Sequence, residues 1–200
     1  MERPGRHKQG AISTIENLLQ HGDNAAASAM AAEAAGQWPR DVEIQVLLGH
    51  ALCRDGQTRA ARNVAEAAIE LDPQHPAPRM LRVELLLQDG DNDAALQLMQ
   101  EIQRGPNSDN PKLLQDIAQR LTMLGEHVEA ERCYARALAL QPGDPGAIYK
   151  HATSLIALGP LAEADPALHP VLALNPADSA AWCNRRTQRN APAATTTVVS

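Results

Sequence analysis

The stretch VEIQVLLGHALCRDGQTRAARNVAEAAIELDPQH, from Val42 to His75, decides how this chain folds. Leu47, Leu48, Ala51 and Leu52 place apolar groups on one face of a first helix, and Gly56 stands where that helix needs a residue tolerant of positive φ. A second helix follows with Ala60, Ala61, Val64, Ala65, Ala68 and Ile69 at helical spacing. Asp72-Pro73 closes it, because proline has no N–H to donate and its ring clashes with the preceding turn. The unit so described is a helical hairpin.

Working outward, the hairpin recurs. Glycines stand at Gly22, Gly56, Gly90, Gly125 and Gly159, about 34 residues apart, with one extra residue before Gly125. Five residues after each comes an alanine, Ala27, Ala61, Ala95, Ala130 and Ala164, and seven further on come Ala34, Ala68, Ile102, Ala137 and Val171. The hairpins end at Pro39, Pro73, Asn107, Pro142 and Pro176. Where the proline is missing, Gly105-Pro106 breaks the helix one residue early and the Asn-Ser-Asp-Asn loop absorbs the added residue.

These marks resemble the tetratricopeptide repeat, which combines a small residue in a first helix, a glycine turn, two spaced alanines in a second helix and a terminal proline. The resemblance covers nearly the whole chain, and a generic antiparallel bundle is the alternative it displaces. It implies an all-α fold, a right-handed α-α superhelix (a solenoid) of about five hairpins plus a partial capping helix. The expected boundaries are a flexible N-terminus over 1–7, a solenoid over 8–178 with repeats at 8–41, 42–75, 76–110, 111–144 and 145–178, a partial capping helix over 179–189 and a disordered tail over 190–200.

Physics accounts for the small residues without the family. Helices whose crossing is lined by Gly49 or Ala118 on one side and Ala61 or Ala130 on the other approach closely, as larger side chains would not allow. Val83 departs from this pattern, so its crossing is expected to be wider. The first hairpin, with Ile12, Ile15, Leu18 and Leu19 before an alanine-rich second helix over 25–35, is the least regular, as suits an end repeat. Asp23 or Asn24 supplies its second N-cap, and Asp91 or Asn92 does so in the third hairpin. In the fifth, Pro166 and Pro170 fall inside the second helix and predict a kinked or fragmented element, read either as a hinge or as decay of a dispensable repeat. Trp182 is expected to cover the open end of that hairpin.

Composition agrees with stacked hairpins. The chain has 200 residues with 44% hydrophobic content, yet aromatics are 2% and phenylalanine is absent. A thick globular core normally uses aromatic side chains; an array in which each unit buries its face on its neighbours manages with alanine and leucine. A net charge of −6 and a pI near 5.6 argue against a nucleic-acid surface, which needs clustered lysine and arginine. No apolar run reaches the roughly 20 residues that span a bilayer, and residues 1–10 are basic and polar with no hydrophobic stretch behind them. Cys53, Cys133 and Cys183 are widely spaced within helical patterns, which fits reduced thiols and a cytoplasmic location better than a disulfide framework.

No catalytic motif survives inspection: HExxH, GxSxG, a phosphate-binding glycine loop and a paired CxxC are all missing, so the expectation is no enzyme and no cofactor. His50 and Cys53 share a helical face but lack partners at metal-ligand spacing, so a polar pair is preferred to a metal site. Glu126, Glu129 and Glu131 read as a solvated helix start, where acids favour the dipole's positive end.

The resemblance implies that first helices line a concave groove that binds a protein or peptide, with no nucleic acid or membrane partner; the oligomeric state is not implied. Transferred to this chain, the groove holds Ile12, Glu16, Val46, His50, Cys53, Met80, Glu84, Leu87, Gln115, Gln119, Thr122, Tyr149 and Thr153. One subset of the family grips a peptide's C-terminal carboxylates with basic and amide side chains. The matching slots here hold Ile12, Glu16, Val46, His50, Met80 and Glu84, which speaks against that use and for an extended or helical peptide resting on Met80, Leu87 and Tyr149. The segments AERCYARALALQPGDPGAIYKHATSLIALG (Ala130 to Gly159) and ALNPADSAAWCNRRTQRN (Ala173 to Asn190) also resemble the repeat region of bacterial proteins that join such repeats to a sulfotransferase domain. That resemblance implies a recognition half without its enzyme, since nothing after Arg189 resembles the catalytic part.

Overall fold

The computed structural model describes residues 4–158, with side chains from His7 to Ser154. The expectations for Gly159, the two internal prolines, Cys183 and Trp182, the capping helix and the tail therefore lie outside the described residues. Within them the chain is all helix: α1 Pro4–His21, α2 Asn24–Gln37, α3 Val42–Arg54, α4 Thr58–Leu71, α5 Pro76–Gln88, α6 Asn92–Arg104, α7 Pro111–Met123, α8 His127–Leu140 and α9 Pro145–Leu158. The chain divides into two compact units, Met1–Ser108 and Asp109–Ser200.

Short polar residues start several of the helices, and glycine turns follow the first helix of each hairpin. Asp23, Asp41, Asp91 and Asn110 each accept a hydrogen bond from the backbone N–H three residues on, satisfying a donor the helix leaves open. Pro76, Pro111 and Pro145 occupy first helical positions, where the missing N–H has no intrahelical partner anyway. Gly22, Gly56, Gly90 and Gly125 have φ between +78° and +82°, the left-handed conformation in which a Cβ would be strained. The repeated glycine is thus a demand of the turn.

α1 begins at Pro4, four residues before the expected start of the first repeat. Proline at the N-terminal end presets the helical φ, and the helix is tied down further on by Lys8, whose Nζ lies 2.6 Å from Asp41 and 3.0 Å from Glu43 at the start of α3.

In the first unit α1–α2, α3–α4 and α5–α6 pair as hairpins, and α2 on α3 and α4 on α5 join one hairpin to the next. The first helices also pack on one another, α1 on α3 and α3 on α5, with no comparable packing among α2, α4 and α6. Helices that approach more closely along one edge put that edge on the inside of a curve, so α1, α3 and α5 form the inner side of this unit. Its core joins Ile12, Ile15, Ala27, Ala31, Ile44, Leu48, Ala61 and Ala65 to Leu81 and Leu85. Gly49 is required by a different neighbour from the expected one. A methyl group at Gly49 would overlap Leu81 Cδ2 on α5, the next hairpin's first helix.

In the second unit α7 pairs with α8, and α9 packs on α8. Leu114, Ile117, Ala118, Ala130, Cys133, Tyr134 and Ala137 are buried between them. Tyr134 is 2% exposed and shares a hydrogen bond with Thr122, which gives the buried phenol a polar partner.

Candidate functional site

On the first helices of the first unit the residues expected in a groove separate into buried and partly exposed ones. Ile12, Val46, Cys53 and Met80 are buried, each 8% exposed or less, and offer a partner almost no surface. α3 packs directly on α1 and α5, a contact that a single repeat read by itself does not contain. His50, Glu84 and Leu87 are half-buried and Glu16 is exposed. His50 Nδ1 lies 3.3 Å from Glu84 Oε2, so the two side chains bridge consecutive first helices.

Cys53, one turn beyond His50, has its thiol pushed up to about 11, chiefly by burial and then by the negative charge of Glu84. A thiol so held is a poor nucleophile and a poor metal ligand, because both roles require the thiolate. Among the described residues no group of three histidine, cysteine or acidic side chains is arranged to hold a metal ion.

In the second unit much of the polar surface of the first helices is engaged within the protein. Gln115 Nε2 donates to Asp144 Oδ2 at 2.8 Å, and Asp144 also accepts from the backbone N–H groups of Gly146 and Ala147, capping α9. The Gln115 bond does most to hold the Asp144 carboxyl below the usual carboxylate range; burial opposes it, and the backbone donors and the charge of Lys150 add to it. Lys150 Nζ donates to Gln119 Oε1 at 3.1 Å. The hydroxyls of Thr122 and Thr153 donate to the carbonyls of Ala118 and Tyr149, one turn back. Gln119 and Thr153 are exposed, while Gln115, Thr122 and Tyr149 are half-buried.

Sequence reasoning missed the ion pairs that join α4 to α5 in the first unit. Arg82 stands at the repeat position of the buried Leu48 and Ile117, yet it is exposed and pairs with Glu66 on α4 at 3.3 Å. Arg62 pairs with Asp89 beside it, and together these groups line a cleft of about 320 Å³ floored by Leu85. His151 falls at the same repeat position and lies 3.0 Å from Glu131 on α8. The signal was present in the sequence as a polar residue recurring where the repeat calls for an apolar one.

Comparison with known proteins places this geometry. Two tetratricopeptide repeat models match residues 46–110 and 111–154, together more than half of the chain. A thermophilic tetratricopeptide repeat protein of Thermus thermophilus is similar in structure with a TM-score of 0.68 at 20% identity, covering 91% of this chain and 98% of that one. MamA (residue 41 to its end) from Desulfovibrio magneticus RS-1 gives 0.60 at 15% identity, covering 86% and 97%. YrrB, described as a tetratricopeptide repeat protein with an unusual peptide-binding site, gives 0.59 at 15% identity, covering 88% and 90%. At these identities the likeness is one of fold. No protein of curated function matches the chain in sequence.

Proposed function

Since the chain belongs to the tetratricopeptide repeat family, we propose that it is an interaction scaffold that holds a peptide or a segment of a partner protein against the exposed faces of its first helices and catalyses no reaction of its own. The observation that carries this reading is the pairing of His50 with Glu84 across two consecutive first helices that pack on one another, with Leu87 half-buried one turn further along α5. A concave apolar surface with a few oriented polar groups is the form that peptide recognition takes on helical repeats. The second unit, taken by itself, presents Gln119, Tyr149 and Thr153 on its first helices, neutral polar groups of the kind that contact a peptide backbone. YrrB carries a peptide-binding site on the same fold, which supports the reading by analogy. Buried reduced thiols at Cys53 and Cys133 suit the cytoplasm of a bacterium.

The test is capture by the intact protein immobilised beside variants Glu84→Ala with Leu87→Ala, and Tyr149→Ala with Gln119→Ala. Partners retained by the native chain and lost with either pair of substitutions, at unchanged helix content by circular dichroism, support the reading. Equal capture by all three proteins removes it. Met80 and Val46 are unsuitable for this purpose because they are core residues, and truncating them perturbs the fold.

A second reading follows from the stretch Ala130 to Gly159, whose resemblance to the repeats of sulfotransferase fusions makes this chain a recognition module for such an enzyme. Reading the gene beyond Ser200 tests it: a continuation into a phosphate-binding loop favours this second role.

A further inference from the structure

We infer that the inner side of the first unit selects a peptide carrying a lysine or arginine beside an apolar residue. The inference rests on the scaffold reading above and names the partner's chemistry. Glu16, His50 and Glu84 occupy one repeat position on α1, α3 and α5, 34 residues apart, and so form a single row across helices that pack on one another.

What makes the row acidic is the disposition of the basic residues around it. Lys8 is held by Asp41 and Glu43. Arg54 reaches back to the carbonyl of Leu19 in the last turn of α1 at 2.9 Å, the end of a helix where a cation is favoured. Arg79 turns to Glu101 on α6 at 2.9 Å, and Arg82 to Glu66 on α4. Each of these cations on the first helices is drawn to a partner off the row, while two carboxylates stay on it with one imidazole between them.

Glu84 already engages a nitrogen of His50, so it is oriented toward a donor, and a peptide ammonium or guanidinium substitutes for or shares that contact. Leu87, half-buried one turn further along α5, supplies the apolar neighbour. Charge complementarity at such a partly exposed site governs selectivity and encounter more than raw affinity.

The experiment is an array of immobilised extended peptides of varied sequence probed with the intact protein. The expected result is enrichment of lysine and arginine over glutamine and glutamate in the captured peptides. Replacing the basic residue of a captured peptide by glutamine weakens binding about two- to fivefold, the range an exposed charge pair supplies. The double variant Glu16→Gln with Glu84→Gln, its fold checked by circular dichroism, loses the preference for basic over neutral peptides. Capture with no basic preference, or an unchanged preference in the double variant, overturns the inference and leaves the scaffold reading standing. Absence of capture across the whole array, against a bare support, removes both.

Discussion

Gly49 and Leu81 illustrate what a single position contributes. Alanine in place of a helical glycine gains about 1 kcal/mol of helix propensity, but here the added methyl meets Leu81 Cδ2 and forces that side chain aside. Gly49→Ala is therefore expected to destabilise the native chain, and to become stabilising by up to about 1 kcal/mol once Leu81→Ala has opened the space. Urea unfolding of the two single variants and the double variant measures the coupling, and additive behaviour would refute the contact. Cys53 and Cys133 test burial directly. With both thiols pushed up to about 11 by burial, neither is expected to react with iodoacetamide at pH 8 in the folded chain, and both react once urea unfolds it. Peptide mapping by mass spectrometry reads the outcome, and rapid labelling of the native chain would mean that these helices open readily.

Among the helices, one repeat position is used in two ways. Ile117 is fully buried in α7, whereas Arg82 at the equivalent place in α5 is exposed and paired with Glu66. Ile117→Ala is expected to cost about 2–5 kcal/mol through the cavity it leaves, and Arg82→Ala less than about 1 kcal/mol, because an exposed ion pair is screened by water. Denaturant titration of both variants separates a packing position from a surface one. The start of α9 gives the pH dependence. Asp144 is held below its unfolded value mainly by Gln115, so its contribution to stability is present above the unfolded value and is lost as pH falls through the folded one. Gln115→Leu is expected to move the Asp144 titration upward, so that α9 loses its cap at a higher pH, with carboxyl NMR shifts recording the change. An unmoved titration would show that the backbone donors alone set it.

At the scale of the molecule, the hairpins were legible because their signals are local. A positive φ at Gly56 and a buried alanine at Ala61 follow from the geometry of one hairpin, and both recur at each matching position from Gly22 and Ala27 to Gly125 and Ala130. The surface was less legible, because it depends on how hairpins stack. Met80 and Val46 read as groove residues within one repeat but are buried, and the destination of Arg82 depends on the approach of α5 to α4 of the preceding hairpin, which no single repeat encodes. The same locality predicts how the chain fails. When each hairpin buries its apolar face on its immediate neighbours, stability is close to a sum of repeat and nearest-neighbour contributions, and damage stays near its origin. Ala130, fully buried at the crossing of α7 and α8, leaves no room for a larger side chain, so Ala130→Leu is expected to cost about 1–3 kcal/mol. Hydrogen exchange should then quicken most in α7, α8 and α9 and leave the amides of α1 to α4 at their native rates. A uniform loss of protection along the chain would mean that it unfolds as one cooperative body, contrary to the additive picture.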